Sequence, residues 1–322
     1  VPTKPYEVAS NLRQTEVVKA KGANLQISQT TPIGTFNALG SWDESSNVGT
    51  SPAFAGALAG GFEGINYIQN VEDESWSGEL NFASEKFGRF SFIAGGNYYH
   101  NLNGWNPVIV DVDLPGSPSE VSLFAKQRTS AFAFYGEATY EITDDLSVIG
   151  GLRYSSEKRT VLGSIVPGAV TQGAFYDWGS RTFNSVTQRA SVRYRITPET
   201  NAYFTYSTGF KSGNFDATSI PFLQTPESCA AANAAAPGSC SFPLSVKPEK
   251  ITAYEVGLKS SLSPRVNIDV ALFYNRLSDI QILTFTEVCV QTPCPPNPTT
   301  SLGTLSNAAA AKMYGAEVSI DA

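Results

Sequence analysis

Apolar and polar side chains alternate along several long segments of the chain. From residue 132 to 142 every even position is apolar, aromatic or glycine, and the odd positions include Glu137 and Glu141. The segment 146–154 repeats this arrangement. Because successive side chains of a β-strand point to opposite faces of the sheet, the period of two predicts strands with one apolar and one polar face.

The same test predicts about eleven strands, an all-β chain, and no amphipathic helix. The alanine-rich stretch 230–236 is compatible with a single helical turn. The strands are expected at about residues 24–31, 34–42, 67–82, 89–101, 122–142, 145–160, 182–196, 201–214, 249–262, 265–283 and 307–321.

Short and long connections alternate between these strands. The short ones carry turn-forming residues such as Pro32, Gly88, Asp144, Pro198 and Pro264. In an antiparallel meander every second connection lies at the same end of the sheet, so the short turns are predicted at one rim and the long loops at the other. Bacterial outer-membrane barrels have this asymmetry. The long loops are expected at about residues 43–66, 102–121, 161–181, 215–248 and 284–306.

The predicted strands are long for a soluble protein. Strands of soluble proteins have about 5 to 6 residues, whereas a tilted strand that crosses a bilayer needs about 9 to 11. In segment 182–196, Arg189, Arg193 and Arg195 share one parity. Since an arginine facing lipid near the bilayer midplane costs about 2–4 kcal/mol, the three arginines are expected to face an aqueous or plugged lumen.

The same reasoning assigns faces to the later strands. Polar residues predicted inside are Glu255, Lys259, Asn267, Asp269 and Glu317, and apolar neighbours predicted outside are Tyr254, Val256, Leu258, Ile268, Val270, Leu272, Tyr314, Val318 and Ile320. Aromatic residues cluster near predicted strand ends, for example Trp42, Trp76, Tyr98, Phe204 and Tyr206. Such clusters are typical of the interfacial girdles of a membrane barrel, with an ordinary β-core as the alternative interpretation.

Composition and charge narrow the range of partners. The 322 residues carry a formal net charge of −7 and lack the cationic footprint that nucleic-acid binding needs. The longest weakly polar run, residues 52–62, is far shorter than the roughly 18 residues of a membrane helix, so no such helix is predicted.

The four cysteines form two close pairs, Cys229 with Cys240 and Cys289 with Cys294. A zinc site is the alternative, but it would need four converging ligands, and the single histidine, His100, is far away in sequence. Two local disulfides are therefore predicted, which favours an oxidising compartment.

No catalytic constellation is recognisable, and no enzyme is predicted. His100 has no partner motif for nucleophilic catalysis, and nucleotide-binding fingerprints are absent from the sequence. Carboxylates at residues 43–44 and 72–74, and at Asp111 with Asp113, are candidates for calcium binding in external loops. Their spacing lacks an EF-hand pattern, and solvated loop charge is the alternative, so neither a metal nor a cofactor is predicted.

Four stretches resemble sequences of the TonB-dependent outer-membrane receptors. FYGEATYEITDDLSVIGGLRYSSEKRT is similar to a barrel hairpin of that family, and RASVRYRITPETNAYFTYSTGFKSGNF to the following hairpin, with Asn214 in place of a glycine. VKPEKITAYEVGLKSSL resembles its Tyr-Glu-x-Gly-x-Lys strand, and NAAAAKMYGAEVSIDA its Gly-x-Glu strand. Four such stretches in the expected order carry the resemblance over nearly the whole chain, most clearly from about residue 67 onward.

The resemblance implies an antiparallel, up-and-down transmembrane β-barrel in the outer membrane of a Gram-negative bacterium. Such receptors import a scarce ligand, most commonly siderophore-iron, with energy from the inner membrane through TonB, and a plug domain fills a barrel of about 22 strands. Neither the plug nor the TonB-contacting segment is recognisable here. Residues 1–322 are therefore expected to be part of one barrel domain of a larger receptor.

The candidate contact residues for ligand or plug are charged side chains of lumenal parity: Glu137, Arg153, Arg189, Arg193, Arg195, Lys211 and Glu255. Charge ladders that hold strand register are the alternative role, and the external loop 215–248 is a further ligand-binding candidate. A passive porin-like channel and a surface β-protein or adhesin are the alternative functions.

Overall fold

The computed structural model describes residues 14–58, 62–113, 119–221, 224–289 and 299–321. Fifteen strands account for most of them, with a short 3-10 helix at Ala217–Ser219 and one α-helix, α1 (Pro226–Ala235). The strands are β1 (Thr15–Thr31), β2 (Gly34–Leu58), β3 (Phe62–Ser84), β4 (Phe90–Asp113), β5 (Ser119–Glu141), β6 (Leu146–Pro167), β7 (Tyr176–Thr197), β8 (Thr200–Lys211), β9 (Asn214–Phe215), β10 (Ser245–Val246), β11 (Glu249–Ser263), β12 (Val266–Ser278), β13 (Gln281–Cys289), β14 (Thr299–Asn307) and β15 (Ala310–Asp321).

Eleven strands form one antiparallel sheet, in which β1 to β8 are followed by β11, β12 and β15. Every strand pairs with its neighbour in this order, so the predicted meander of eleven strands is confirmed. Within the described residues β1 and β15 do not pair with each other, and the sheet is therefore an open wall. No helix in the described part of the chain is long and apolar enough to cross a membrane.

The short connections lie together at one rim, as predicted. They join β1 to β2, β3 to β4, β5 to β6, β7 to β8 and β11 to β12. Thr143 stabilises one of them, because its hydroxyl oxygen accepts hydrogen bonds from the backbone of Asp145 and Leu146. The longer connections lie at the opposite rim.

Three of the predicted loops were largely wrong. Residues 43–58, 102–113 and 161–167 continue β2, β4 and β6 instead of leaving the sheet. The prediction required apolar alternation, which arises only where one face meets an apolar environment. Where both faces meet water the alternation is lost, yet the backbone ladder still satisfies its hydrogen-bonding groups.

The predicted strand 265–283 and the loop 284–306 were also wrong in part. The strand is interrupted at Asp279, whose φ of 53° is incompatible with extended backbone. Beyond it, β13 and β14 pair from Gln281 opposite Asn307 to Cys289 opposite Thr299. The chain therefore forms a separate hairpin where a loop was predicted.

The large sheet has one apolar and one polar face. On the apolar face, a lower row of aromatic rings lies near the short turns, with Phe36 and Phe82 centroids 4.5 Å apart and Phe82 and Phe92 centroids 5.8 Å apart. An upper row contains the Trp42–Trp76 pair. Six residues separate the two rows along a strand, or about 20 Å at roughly 3.3 Å per residue. Two aromatic rows that border an apolar band are typical of a membrane-spanning barrel.

The segment between β8 and β11 folds over the polar face at the long-loop rim, and we call residues 214–221 and 224–246 the cap. Its helix α1 begins at Pro226. Thr225 is the N-cap residue, and it forms a reciprocal capping box with Ser228 in the first turn. Ile220 and Cys229 of the cap pack with Ala125, Val161 and Trp178 of the sheet. The predicted loop 215–248 is therefore a packed element with its own buried core.

Candidate functional site

A groove of about 850 Å³ lies on the polar face of the sheet. It is lined by side chains from β6, β7, β8, β11, β12 and β15, including the charged residues Arg189, Arg193, Glu255, Lys259 and Glu317. Since six neighbouring strands surround one groove, the sheet curves toward its polar face. This face therefore corresponds to the lumenal side of a barrel wall.

Tyr203 and Glu255 form a hydrogen-bonded pair in the groove. The Tyr203 hydroxyl donates to Oε1 of Glu255 at 2.6 Å. Gly257 makes this arrangement possible, because a Cβ at that position would come within 2.5 Å of the Tyr203 ring. The glycine of the Tyr-Glu-x-Gly-x-Lys stretch thus provides the space in which the tyrosine ring lies.

Arg189 connects the groove to a second concavity of about 420 Å³. Its Nη1 lies 3.3 Å from Oε2 of Glu137, which is on β5, two strands away. Both side chains are partly exposed, and such a pair contributes roughly 0–1 kcal/mol. Arg189 and Glu137 are thus brought together by the fold, and both retain hydrogen-bonding capacity toward the lumen.

Arg153 belongs to a hydrogen-bond network at the second concavity. Its guanidinium donates to Asn97 at 3.1 Å and to Ser155 at 3.2 Å, and it lies 5.7 Å from the ring centre of Tyr135. The Tyr135 hydroxyl donates to Oε1 of Glu79 at 2.6 Å. The network links β3, β4, β5 and β6, and Arg153 uses its Nε and Nη2 donors on protein partners.

Arg195 lies at the short-turn rim, away from the groove. Its Nε is 2.9 Å from Oδ1 of Asp145, and its Nη2 donates to the carbonyl oxygen of Asp144 at 2.7 Å. Arg193, two residues earlier, lines both the groove and a rim cavity of about 370 Å³. Among the described residues Arg193 has no ion-pair partner within 4 Å.

Lys211 is separated from the other predicted site residues. It is exposed at the last position of β8, opposite Glu249 of β11, below the start of the cap. The seven residues predicted from sequence therefore divide between the two concavities (Glu137, Arg153, Arg189, Arg193 and Glu255), the turn rim (Arg195) and the cap edge (Lys211).

Three lumenal residues were missed by the sequence reasoning, namely Glu79, Tyr135 and Tyr203. Each shares the parity of a residue that was chosen, since Tyr135 precedes Glu137 by two positions and Tyr203 lies opposite Gly257. Parity alone would have identified them. The tyrosines were overlooked because only charged side chains were considered on that face.

Cys229 and Cys240 are joined by a disulfide with Cα atoms 5.3 Å apart. Both cysteines are buried, and the amide of Asn233 donates to the carbonyl oxygen of Cys240 at 2.8 Å. The disulfide thus holds α1 to the chain that follows it. The predicted pair of Cys289 with Cys294 lies outside the described residues, since Cys294 and the side chain of Cys289 are not described.

The carboxylates considered for calcium do not converge where their side chains are described. Glu72 and Asp73 point to opposite faces of β3, where Glu72 accepts from Lys126 at 2.6 Å and Asp73 accepts from Asn101 at 3.0 Å. No group of metal-ligating side chains occurs in the described part of the molecule. His100 lies 3.0 Å from the Ser130 hydroxyl on the apolar face.

The open sheet, the two aromatic rows and the charged concave face together define part of the wall of a transmembrane β-barrel. Residues 6–322 match the family model of the TonB dependent receptor-like β-barrel. The chain therefore belongs to the family of TonB-dependent receptor barrels.

Solved structures of receptors share this fold. The ferric yersiniabactin uptake receptor FyuA of Yersinia pestis aligns with a TM-score of 0.70 and 18% identity, covering 95% of this chain and 40% of that chain. The ferric-catecholate import receptor Fiu of E. coli K12 aligns at 0.61 and 15%, covering 97% and 46%. BauA, the ferric preacinetobactin receptor of Acinetobacter baumannii, aligns at 0.60 and 14%, covering 95% and 43%.

The chain thus spans less than half the length of these three receptors. No curated protein matches it.

Proposed function

We propose that the chain forms part of the barrel of an outer-membrane receptor that imports a scarce ligand with energy delivered by TonB. The family match over residues 6–322 is the observation that carries this proposal. The barrel wall supplies the passage and the membrane anchor, and it performs no covalent chemistry on the cargo.

The proposed cargo is an anionic ferric siderophore. The three similar receptors named above are each described by a ferric ligand or a ferric-catecholate substrate. In this chain the groove is lined by Arg189, Arg193 and Lys259, beside the carboxylates Glu255 and Glu317. Guanidinium and ammonium groups form charge-assisted hydrogen bonds to anionic oxygen, which suits a complex rich in carboxylate or phenolate oxygens.

The lumenal charges are proposed to have two roles. Arg153 and Arg195 use their donors on neighbouring strands and turns, so they hold strand register. Arg193 and Lys211 keep their charges unpaired in the described structure, and they are proposed to contact the plug domain or the passing ligand. Glu137, Arg189 and Glu255 are proposed to share both roles. Each has one hydrogen-bonding partner in the protein, and each is also accessible from the lumen.

The test uses the full-length gene in its native host. A deletion strain is grown with iron supplied only as a panel of ferric siderophores, with and without the complementing gene and with and without TonB. Growth on one complex that requires both the gene and TonB is the expected result. Growth that requires the gene but not TonB would indicate a passive channel. Growth unaffected by the deletion on every complex would contradict ferric siderophore import.

A further inference from the structure

Three cations lie together on the apolar face of the last strands of the sheet. Arg276 of β12 is directly opposite Lys312 of β15. Lys250 of β11 is opposite Ser278, two residues further along β12. All three side chains are exposed. We call Lys250, Arg276 and Lys312 the outer cation row.

The outer cation row lies directly beyond a row of tyrosines. Tyr254 and Tyr274 are opposite each other with ring centroids 6.4 Å apart, and Tyr314 is opposite Tyr274 on the other side. Arg276 is about ten residues from the start of β12. At about 3.4 Å per residue and a tilt of about 40°, this length rises roughly 26 Å, close to the apolar height of about 25 Å in outer-membrane barrels. The row therefore lies at the level of the lipid headgroups on the long-loop side.

Among the side chains that the structure describes on this face of the last strands, none is an acid that could balance these cations. On the apolar face of β8, β11, β12 and β15 the described positions hold no carboxylate. Elsewhere on the same face, Lys21 is paired with Glu44 at 3.0 Å and Lys126 with Glu72 at 2.6 Å. Like charges directly opposite across two strands repel, so the Arg276–Lys312 arrangement is unfavourable unless an anion lies between them.

We propose that the outer cation row binds the phosphate groups of an anionic lipid in the outer leaflet, with its acyl chains on the apolar surface below. Exposed Val256, Leu272 and Val318 provide that surface. The charge is complementary, since basic side chains at the membrane surface attract anionic headgroups. This inference rests on the outer-membrane location in the proposed function.

The experiment measures lipid binding to the purified full-length receptor after delipidation. Diphosphoryl lipid A, the same lipid with both phosphates removed, and inorganic phosphate are titrated separately and in competition, with native mass spectrometry as the readout. The test variant carries Arg276→Gln and Lys312→Gln. The matched control carries Lys21→Gln and Lys86→Gln, which removes the same charge from two cations that already have carboxylate partners.

Wild type and control are expected to bind diphosphoryl lipid A about tenfold more tightly than the test variant, and this advantage is expected to vanish for the dephosphorylated lipid. Equal affinity of wild type and test variant would overturn the proposal, as would equal binding of the lipid without phosphates. Complete displacement of the lipid by inorganic phosphate would identify a free-anion site and overturn the assignment to lipid.

Two further measurements keep the result interpretable. The test variant should unfold at the same temperature as wild type, or higher, in a neutral detergent, because a like-charge repulsion has been removed. Ligand import is scored in the same strains. Import without phosphate-dependent lipid binding would contradict only this inference, whereas lipid binding without import would contradict only the proposed function.

Discussion

At the scale of single residues, the face of the sheet on which a position lies determines whether it tolerates a charged side chain. Val270 and Ala271 are consecutive residues of β12, yet Val270 lies on the apolar face and Ala271 on the lumenal face. Ala271 is opposite Glu317 of β15. The two positions therefore offer a matched comparison of lipid and lumen.

Val270→Arg is expected to destabilise the full-length barrel by about 2–4 kcal/mol, because the guanidinium would face hydrocarbon near the midplane. Ala271→Arg is expected to change stability by less than about 1 kcal/mol, since the new charge meets water and Glu317. Denaturant unfolding in lipid vesicles measures both. Equal losses for the two variants would contradict the assignment of faces.

Arg193 and Arg195 are two residues apart on the same face of β7. Arg193 is proposed to contact the ligand or plug, whereas Arg195 stabilises a turn. Substituting each in turn therefore distinguishes the two roles. Arg193→Gln is expected to weaken uptake by about tenfold at limiting ligand, because a hydrogen bond to a charged group contributes about 1.5–3 kcal/mol. Arg195→Gln should leave uptake within about twofold, since its pair with Asp145 is exposed at the rim. Initial uptake rates of radiolabelled ferric ligand provide the measurement. Similar losses for both variants would place Arg195 in the transport path.

At the scale of elements, β3, β4 and β5 continue past the upper aromatic row as a ladder in water. Glu72 joins these strands there, with its carboxylate bonded to Lys126 at 2.6 Å and to Asn106 at 2.9 Å. Burial alone would raise the pKa of Glu72, but the hydrogen bonds from Lys126 and Asn106 and the charge of Lys126 outweigh it and hold the pKa below its ordinary value of 4.5. The stabilisation is therefore fully present above pH 4.5 and is lost as the pH falls through the lowered pKa.

Limited pepsin digestion between pH 5 and pH 2.5 tests this linkage, with about one pH unit between samples and each cleavage rate divided by the rate for an unfolded substrate at the same pH. In wild type, cleavage near residues 102–108 is expected to rise only at the acidic end of the series. Glu72→Gln should be cleaved readily at pH 5 and show a smaller further increase. Extensive cleavage of the wild-type protein already at pH 5 would contradict a lowered pKa of Glu72.

The disulfide of the cap closes a short loop, so its effect should be local. Cys229→Ser with Cys240→Ser is expected to destabilise the cap by about 2–3 kcal/mol on the chain-entropy estimate. The sheet should keep its own unfolding transition, because the eleven-strand ladder does not depend on the cap. Hydrogen exchange of α1, compared with that of β6 and β7, measures the difference. A matching loss of protection in the strands would show that the cap supports the wall.

The parts of the structure that could be predicted from sequence are those on which lipid imposes a pattern. The eleven strands, the two rims and the parity of Arg189, Arg193 and Glu255 all follow from the cost of placing polar groups in hydrocarbon. The parts of β3, β4 and β5 beyond the upper aromatic row, the β13–β14 hairpin and the core of the cap do not contact lipid, so lipid imposes no such pattern on them. Trp178 and Ile220 meet across residues distant in sequence, and no local periodicity indicates such a contact.

At the scale of the whole molecule, the two rims should lie on opposite sides of the outer membrane. Gly238 lies in an exposed turn of the cap with a φ of 86°, and Pro198 lies in the turn between β7 and β8. An epitope inserted at Gly238 is expected to be detected by antibody on intact cells. An epitope inserted at Pro198 should be detected only after the outer membrane is permeabilised. The reverse pattern would invert the proposed orientation.

The length of β2 and β3 has a consequence for how a molecule outside the cell encounters the protein. The two strands have 25 and 23 residues, of which about 9 to 11 are enough to cross a bilayer. The remaining paired residues raise the rim by roughly 30 Å at about 3.3 Å per residue and a tilt of about 40°. The wall is thus uneven in height, since β8, β11, β12 and β15 have only 12 to 15 residues and end closer to the lipid. A molecule that approaches the protein meets a tall paired sheet on the side of β2 and β3 and a lower edge on the side of β12.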